Sequence, residues 1–335
     1  MSSYSIPRSP PDVLLEIDFP RRAGHLNLST MNEPWAPEYR LQPLEVERIL
    51  SDNTELEVKD VVVLDEGWDF FCYLINETFV FRFPKRRAEA ERLIEEKALL
   101  AKLNLTTKTP HFDFWVDRPV GFHLPFAGYP LLSGTPLFEI SKVDVDPNVI
   151  GSQLGQALRE LHAQMLTPSR PPHDPVAEWL PGAQNELETI ANVIDRSLFE
   201  ACGRLLTSYQ PRNPSERHVT THGDLHAGHV LVDEQGQLAG IIDWTDAHTS
   251  NRYTDFAGLW AWGGDGPVMA AFNRYRRVPT SADWAQLRTQ AIIDVVQLID
   301  FGIRSEDSTL VATGQGWLRD RQNEGVLDDL YAEPD

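Results

Sequence analysis

The sequence predicts an α+β chain, with a small antiparallel sheet toward the N-terminus and a larger helical body after it. Three observations lead there. Three β-prone runs, at 58–64, 70–75 and 78–83, lie so close together that only short turns, Glu66-Gly67-Trp68-Asp69 and Asn76-Glu77, can join them, which makes an antiparallel meander. From Leu137 onward apolar residues recur instead at helical spacing. One β-prone pair, 230–232 and 238–242, interrupts that helical half around a turn at Asp233-Glu234-Gln235-Gly236. The chain has 335 residues, enough to bury roughly three quarters of its unfolded surface, so one bilobed unit or two small domains are expected.

The elements follow in order. Residues 1–43 hold Pro7, Pro10, Pro11, Pro20, Pro34, Pro37 and Pro43, a density that argues against regular structure and reads as an extension. A short helix follows with Leu44, Ile49 and Leu50 apolar, and then the meander. Its third strand ends in VFRFPKR, where Arg82 alternates with Phe81 and Phe83 and so points to the opposite face. The next helix, 87–103, carries Leu93, Leu100 and Leu103 on one stripe. Glu96 lies on that same stripe, where a charge needs a partner; Arg82 is the predicted one, and Glu95 is the rival carboxylate. Residues 121–132 read as another strand entering an extended connection.

In the helical half, Asp146 and Pro147 form an N-cap and first-turn pair, and Ile150, Leu154, Leu158, Leu161 and Met165 form a stripe with His162 packed beside it. Residues 167–175 are a Pro-rich loop. Leu187, Ile190, Ile194 and Leu198 mark a second long helix, and 267–276, 281–304 and 308–322 mark three more, with Ile292, Val295, Val296 and Ile299 in the core.

The stretch that carries chemistry is HGDLHAGHVLV, from His222, followed by GIIDW ending at Trp244. Folding the hairpin back brings His229 opposite Asp243 to within about one residue of register, with Asp224 five positions upstream on the entering loop. Two carboxylates and an imidazole so placed suit phosphoryl transfer: one Asp takes a proton from a hydroxyl, the other holds a metal on the phosphates. Protein kinases space a catalytic Asp, an Asn five residues on and a metal-binding Asp beyond the next hairpin in this way. Here His229 stands in the Asn position. The segment closely resembles the antibiotic phosphotransferases of the aminoglycoside phosphotransferase superfamily. Among them the macrolide 2′-phosphotransferases are the most similar, through HGDLHAGH, IDWTDA at 242–247 and the Arg-Phe-Pro at 82–84.

That resemblance implies a protein-kinase-like bilobal fold. An extension at 1–43 would precede a nucleotide-binding lobe at 44–133, with a hinge near 129–133, and a helical catalytic lobe at 134–335. It implies that Asp224 is catalytic and that His229 and Asp243 hold Mg2+. The Gly67 turn, Arg82, Glu96 and the backbone near Tyr129 and Leu131 would bind GTP or ATP. Asp255 in YTDFAGLW would brace the catalytic loop. Asp246 would face a substrate amine, and Trp260 and Trp262, with Trp284 and the helices at 281–322, would line an antibiotic site. The implied reaction is phosphorylation of the 2′-hydroxyl of a macrolide amino sugar. A hygromycin-like aminoglycoside or a metabolite is the alternative acceptor.

Composition narrows the partners. The net charge of −20 argues against a nucleic-acid partner and favours a cationic substrate. Two cysteines make no disulfide framework, and no apolar run approaches a membrane span, so a cytoplasmic location is expected. A monomer is the expected state. Two other readings compete. HxDxH clusters can hold transition metals in a hydrolase, and a kinase-like fold can serve as a binding module without catalysis.

Overall fold

A computed structural model describes residues 37–164, 166, 174–210, 218–332 and 334. Apart from its last seven residues, the predicted extension at 1–43 lies outside the described residues, as does most of the Pro-rich loop at 167–175. Helix α1 (Pro43–Asn53) starts with proline at its first position and a reciprocal cap between Gln42 and Glu45. Its Val46, Ile49 and Leu50 are buried in the core of the first sheet.

That sheet contains β1 (Val61–Glu66), β2 (Phe70–Ile75), β3 (Phe79–Pro84), β4 (Phe114–Val116) and β5 (Phe126–Pro130), in the order β1-β2-β3-β5-β4, with every neighbouring pair antiparallel. The meander is as predicted, though β1 starts three residues later than the run at 58 and β4 is an additional strand. Strand β3 is buried on both faces. Phe81 and Phe83 enter one apolar cluster with Tyr73 and Phe126, while Arg82 sits on the other face with its guanidinium 4.2 Å from the Phe70 ring centre. Helix α2 (Arg87–Leu100) packs on that second face through Leu93, which shares a cluster with Phe70 and Ala127.

The helical body is built from α3 (Pro147–Ala163), α4 (Pro175–Thr189), α5 (Arg196–Ser208), α6 (Thr254–Gly263), α7 (Asp265–Tyr275), α8 (Ser281–Arg304) and α9 (Ser308–Asn323). Asp146 caps α3 as predicted by accepting from the Asn148 N–H. The helix expected through Leu187, Ile190, Ile194 and Leu198 is two helices. The chain turns at 190–195, and Asp195 in extended conformation starts α5. Ile190 and Ile194 are buried all the same, because a one-turn break leaves their apolar spacing unchanged. Two small sheets are set into this body: β7 (Val219–Thr221) with β10 (His248–Ser250), and β6 (Thr135–Pro136) with β8 (Val230–Val232) and β9 (Leu238–Ile241). Among the described residues, no helix is long and apolar enough to cross a membrane.

Candidate active site

The catalytic-type loop is clamped from below by α6. Asp255 accepts hydrogen bonds from the backbone N–H of His222 (2.9 Å) and of Gly223 (3.1 Å), and from His162 Nε2 (2.9 Å). His162 Nδ1 meets Tyr275 Oη at 2.9 Å, and Arg252 donates to the same oxygen. Burial would raise the Asp255 carboxyl, but these donors hold it below the usual carboxylate range. The loop packs closely on α6 and on the turn after β9 because two side chains are missing. A Cβ at Gly258 would run into the Leu225 carbonyl. One at Gly223, where φ is +87°, would run into that of Asp246.

The hairpin above it has Val230 opposite Ile241, and the Ile242 N–H donates to the His229 carbonyl at 3.0 Å. His229 therefore faces the residue next to Asp243, within the predicted register. The Asp243 backbone has φ +58°, a left-handed conformation that turns the chain sharply after β9. His229 Nδ1 lies 2.8 Å from the Asp224 carbonyl, which can only accept, so Nδ1 carries a proton. The opposite ring nitrogen, Nε2, lies 3.8 Å from Asp243 Oδ2. Burial pulls the His229 pKa down, but Asp224 and Asp243 outweigh it and raise it. Asp224 itself is half exposed, with its carboxylate 3.7 Å from His229 Nδ1.

The sheet contributes a cation. Arg82 is 3% exposed and Glu96 1%. Arg82 Nη1 donates to both Glu96 oxygens at 2.8 Å, and Nη2 reaches across to Asp243 Oδ1 at 2.9 Å and Thr245 Oγ1 at 2.6 Å. Glu96 also accepts from the Trp244 N–H (3.1 Å), so one carboxylate organises β3, α2 and the turn after β9. Thr245 Oγ1 has a single proton to share between Asp243 Oδ1 (2.7 Å) and Glu96 Oε2 (3.0 Å). Burial would raise the Asp243 carboxyl, but Arg82 and His229 hold it well below the usual range. Its Oδ1 is thereby engaged, and Oδ2 is the oxygen turned toward His229.

The β1–β2 turn reaches the helical body. Trp68 packs on Phe301 of α8 with ring centres 5.4 Å apart. Asp69 pairs with Arg86 (3.0 Å) and Arg92 (3.2 Å), and Arg92 reaches Asp246 at 3.3 Å.

Known proteins resemble this chain in sequence and fold. A model of the phosphotransferase enzyme family matches residues 60–289. The chain is a member of that family. It is 27% identical over 229 residues to the uncharacterized protein YcbJ of Bacillus subtilis (strain 168), a match that spans 62% of this chain and 69% of that protein. Solved structures agree in fold. The GDP and kanamycin complex of APH(2")-IIIa superposes with a TM-score of 0.66 at 23% identity, over 84% of this chain and 99% of that one. A type I macrolide 2'-phosphotransferase superposes with a TM-score of 0.55 at 18% identity, over 82% and 96%. The macrolide 2'-phosphotransferase MphH from Brachybacterium faecium gives 0.52 at 18%, over 82% and 97%.

Within this phosphotransferase the structure brings Arg82, Glu96, Asp224, His229 and Asp243 together, and Glu96 rather than Glu95 is the partner of Arg82, while Gly67 lies in the β1–β2 turn beside Trp68. Several expected residues are placed otherwise, Trp284 among them, which is 1% exposed in the core. Trp260 and Trp262 are each 1% exposed in the core of α6, and Trp260 Nε1 donates to Asp265, so neither lines a cleft. Asp246 pairs with Arg92 instead of standing free for a substrate amine. The Leu131 N–H, expected near a purine, donates to the Thr78 carbonyl at 2.7 Å, which removes that donor. Tyr129 is buried in the sheet opposite Val80. Sequence reasoning missed Thr245, Asp69 and Arg92. Their roles depend on partners far away in sequence, and only the acidic residues around Arg92 hinted at them.

The donors in the cleft also bear on the hydrolase reading. Asp224, His226 and His229 each offer a ligand atom within 4.8 Å of the others. Yet His226 Nδ1 accepts the Gly228 N–H at 3.0 Å, so its Nε2 keeps the proton and has no lone pair for a metal. The pair that fits a divalent cation is Asp243 Oδ2 with His229 Nε2.

Proposed function

We propose that this phosphotransferase moves the γ-phosphate of GTP or ATP to the 2′-hydroxyl on the amino sugar of a macrolide, with Mg2+ as cofactor. The observation that carries the reading is the meeting of Arg82 and Glu96 from the sheet with Asp243, His229 and Asp224 from the hairpin. Residues 44–133 form the nucleotide side, divided near 129–133 from the catalytic side at 134–335. The protein acts on a small molecule, as a monomer in the cytoplasm.

Asp224 is the group with an accessible carboxylate on a braced loop, so it orients the acceptor hydroxyl and takes its proton as the oxygen attacks the γ-phosphorus. The bond from that phosphorus to the diphosphate breaks, and the charge left on the diphosphate is met by Arg82, held ready by Glu96. Asp243 and His229 would hold the metal; Asp243 offers the hard oxygen that Mg2+ favours, and the imidazole is the softer donor. When bound, Mg2+ supplies charge neutralisation on the phosphates. The turn with Gly67 covers them and limits water.

The macrolide assignment is supported by three motifs of that branch, at 82–84, 222–229 and 242–247, that are assembled at one place. A second reading, an aminoglycoside hydroxyl, is favoured by the higher TM-score to the kanamycin complex, 0.66 against 0.55. Incubation with GTP or ATP and a panel of erythromycin-type macrolides, aminoglycosides and common metabolites, followed by mass spectrometry, tests both. A phosphate added to macrolides is the expected result. Addition to aminoglycosides alone would overturn the acceptor, and addition to metabolites alone would assign a metabolic kinase.

A further inference from the structure

His226 lies beside the reacting groups, and the reaction scheme gives it no task. Two glycines fix its place. A Cβ at Gly258 of α6 would come within 2.6 Å of His226 Cα, and one at Gly228 within 2.7 Å of its Cε1, so the residue is packed between the helix and the backbone of its own loop. Its ring lies on that of His229, with centres 3.9 Å apart and planes at 35°. Nδ1 accepts the Gly228 N–H at 3.0 Å, and this fixes the tautomer, with the proton on Nε2. Among the described residues that Nε2–H meets no hydrogen-bond acceptor. Asp224 Oδ2 stands 3.8 Å away, beyond hydrogen-bond length, and both side chains are open, 42% exposed for His226 and 50% for Asp224.

A fixed donor and a carboxylate at this separation do not satisfy one another, but one oxygen set beside the line between them can satisfy both. At ordinary lengths of about 2.7 Å to Oδ2 and about 2.9 Å to Nε2, the two bonds would meet at that oxygen at about a right angle. A hydroxyl has the matching chemistry, since it gives its proton to the carboxylate and takes the N–H on a lone pair. We propose that His226 Nε2–H donates to the oxygen of the acceptor hydroxyl while that hydroxyl donates to Asp224, so that the two residues together set the direction of attack. Every direction around the oxygen is then assigned: its carbon, its proton toward Asp224, one lone pair toward His226, and the other toward phosphorus. As the oxygen bonds to the γ-phosphorus, its proton passes to Asp224, and the diphosphate leaves with the electron pair of the broken bond. His226 keeps its proton throughout, because Nδ1 is occupied by the backbone and Nε2 serves only as a donor. The inference rests on the reading that Asp224 receives the acceptor hydroxyl.

The test compares wild type with His226→Leu, which removes the donor, and His226→Gln, which keeps an N–H of similar reach. Each is given GTP and the acceptor that the panel identifies, erythromycin on the leading reading, and phosphorylated acceptor and free phosphate are followed separately. His226→Leu should lower kcat for transfer about 10- to 100-fold, as misplacement of a reacting atom does. Nucleotide binding by calorimetry, and the slow release of phosphate to water without acceptor, should be unchanged, because a water is free to turn its own proton to Asp224. The fraction of phosphate that reaches the acceptor should therefore fall, and His226→Gln should restore part of it. A merely structural role would lower transfer and hydrolysis alike and leave that fraction where it was. Equal loss of both, normal transfer by His226→Leu, or a His226→Gln variant no better than His226→Leu overturns the inference while leaving the proposed reaction intact. Failure of the wild type to phosphorylate any member of the panel overturns the proposed reaction, and this inference with it.

Discussion

Asp243 divides its two oxygens between two tasks. Oδ1 is fixed by Arg82 and Thr245, and Oδ2 is turned to His229. An Asp243→Asn change keeps the shape and tolerates the left-handed backbone, but removes the charge. It should weaken nucleotide binding and turnover together. Asp224→Asn should lower kcat by about 10²- to 10⁴-fold while sparing nucleotide binding. Calorimetry with GTP and steady-state kinetics on the two variants check the contrast. Glu96→Gln leaves the Arg82 guanidinium buried with half its charge partners, and removing one member of a buried pair costs about 3–5 kcal/mol. Urea denaturation should show that loss. Asp294 makes a pH prediction whose sign is definite. Its carboxyl is raised to about 8 in the fold, so between about pH 4 and pH 8 the unfolded chain has given up a proton that the folded chain keeps. Its contribution to stability is full below that window and falls as pH rises through it. Melting curves of Asp294→Asn and wild type should coincide near pH 4 and separate toward pH 8, with the variant the more stable.

At the scale of the element, the closest fit is between the catalytic loop and α6. Gly258→Ala would push a methyl group into the Leu225 carbonyl and lift Asp224 off its brace. Positioning dominates phosphoryl transfer, so kcat should fall by more than stability does; a variant that melts lower yet turns over normally would remove the loop–helix fit from the account. The same helix shows what the sequence could and could not reveal. The hairpin was legible because its two β-prone runs and its turn residues left one register that buries Val230 and Ile241. The Arg82–Glu96 pair was legible because strand alternation and helical spacing each forced a charge inward. Trp260 and Trp262 were not, because every residue of α6 from Thr254 to Trp262 is buried, and a helix apolar all round has no face that spacing can assign. Asp246 was misread because Arg92 is 154 residues away.

At the scale of the molecule, a net charge of −20 attracts cations from a distance, and salt screens that attraction over about 10 Å at moderate ionic strength. A polycationic acceptor should lose affinity steeply with added salt, while an acceptor held by one ammonium and an apolar surface should lose little. Acceptor KM measured across a salt series distinguishes them.

The contacts that join the sheet and helix α2 to the helical body include Arg82 to Asp243, Arg92 to Asp246 and Trp68 to Phe301. These contacts hold the turn and helix α2 against the helical body. Under the proposed reaction the donor and its spent diphosphate pass between these contacts, so turnover is predicted to be limited by the opening of this gate. Turnover should fall as solvent viscosity rises. Trp68→Ala, which loosens the gate without touching the reacting groups, should raise kcat and flatten that viscosity dependence, at the expense of more nucleotide hydrolysed by water that a shut cleft would have kept out.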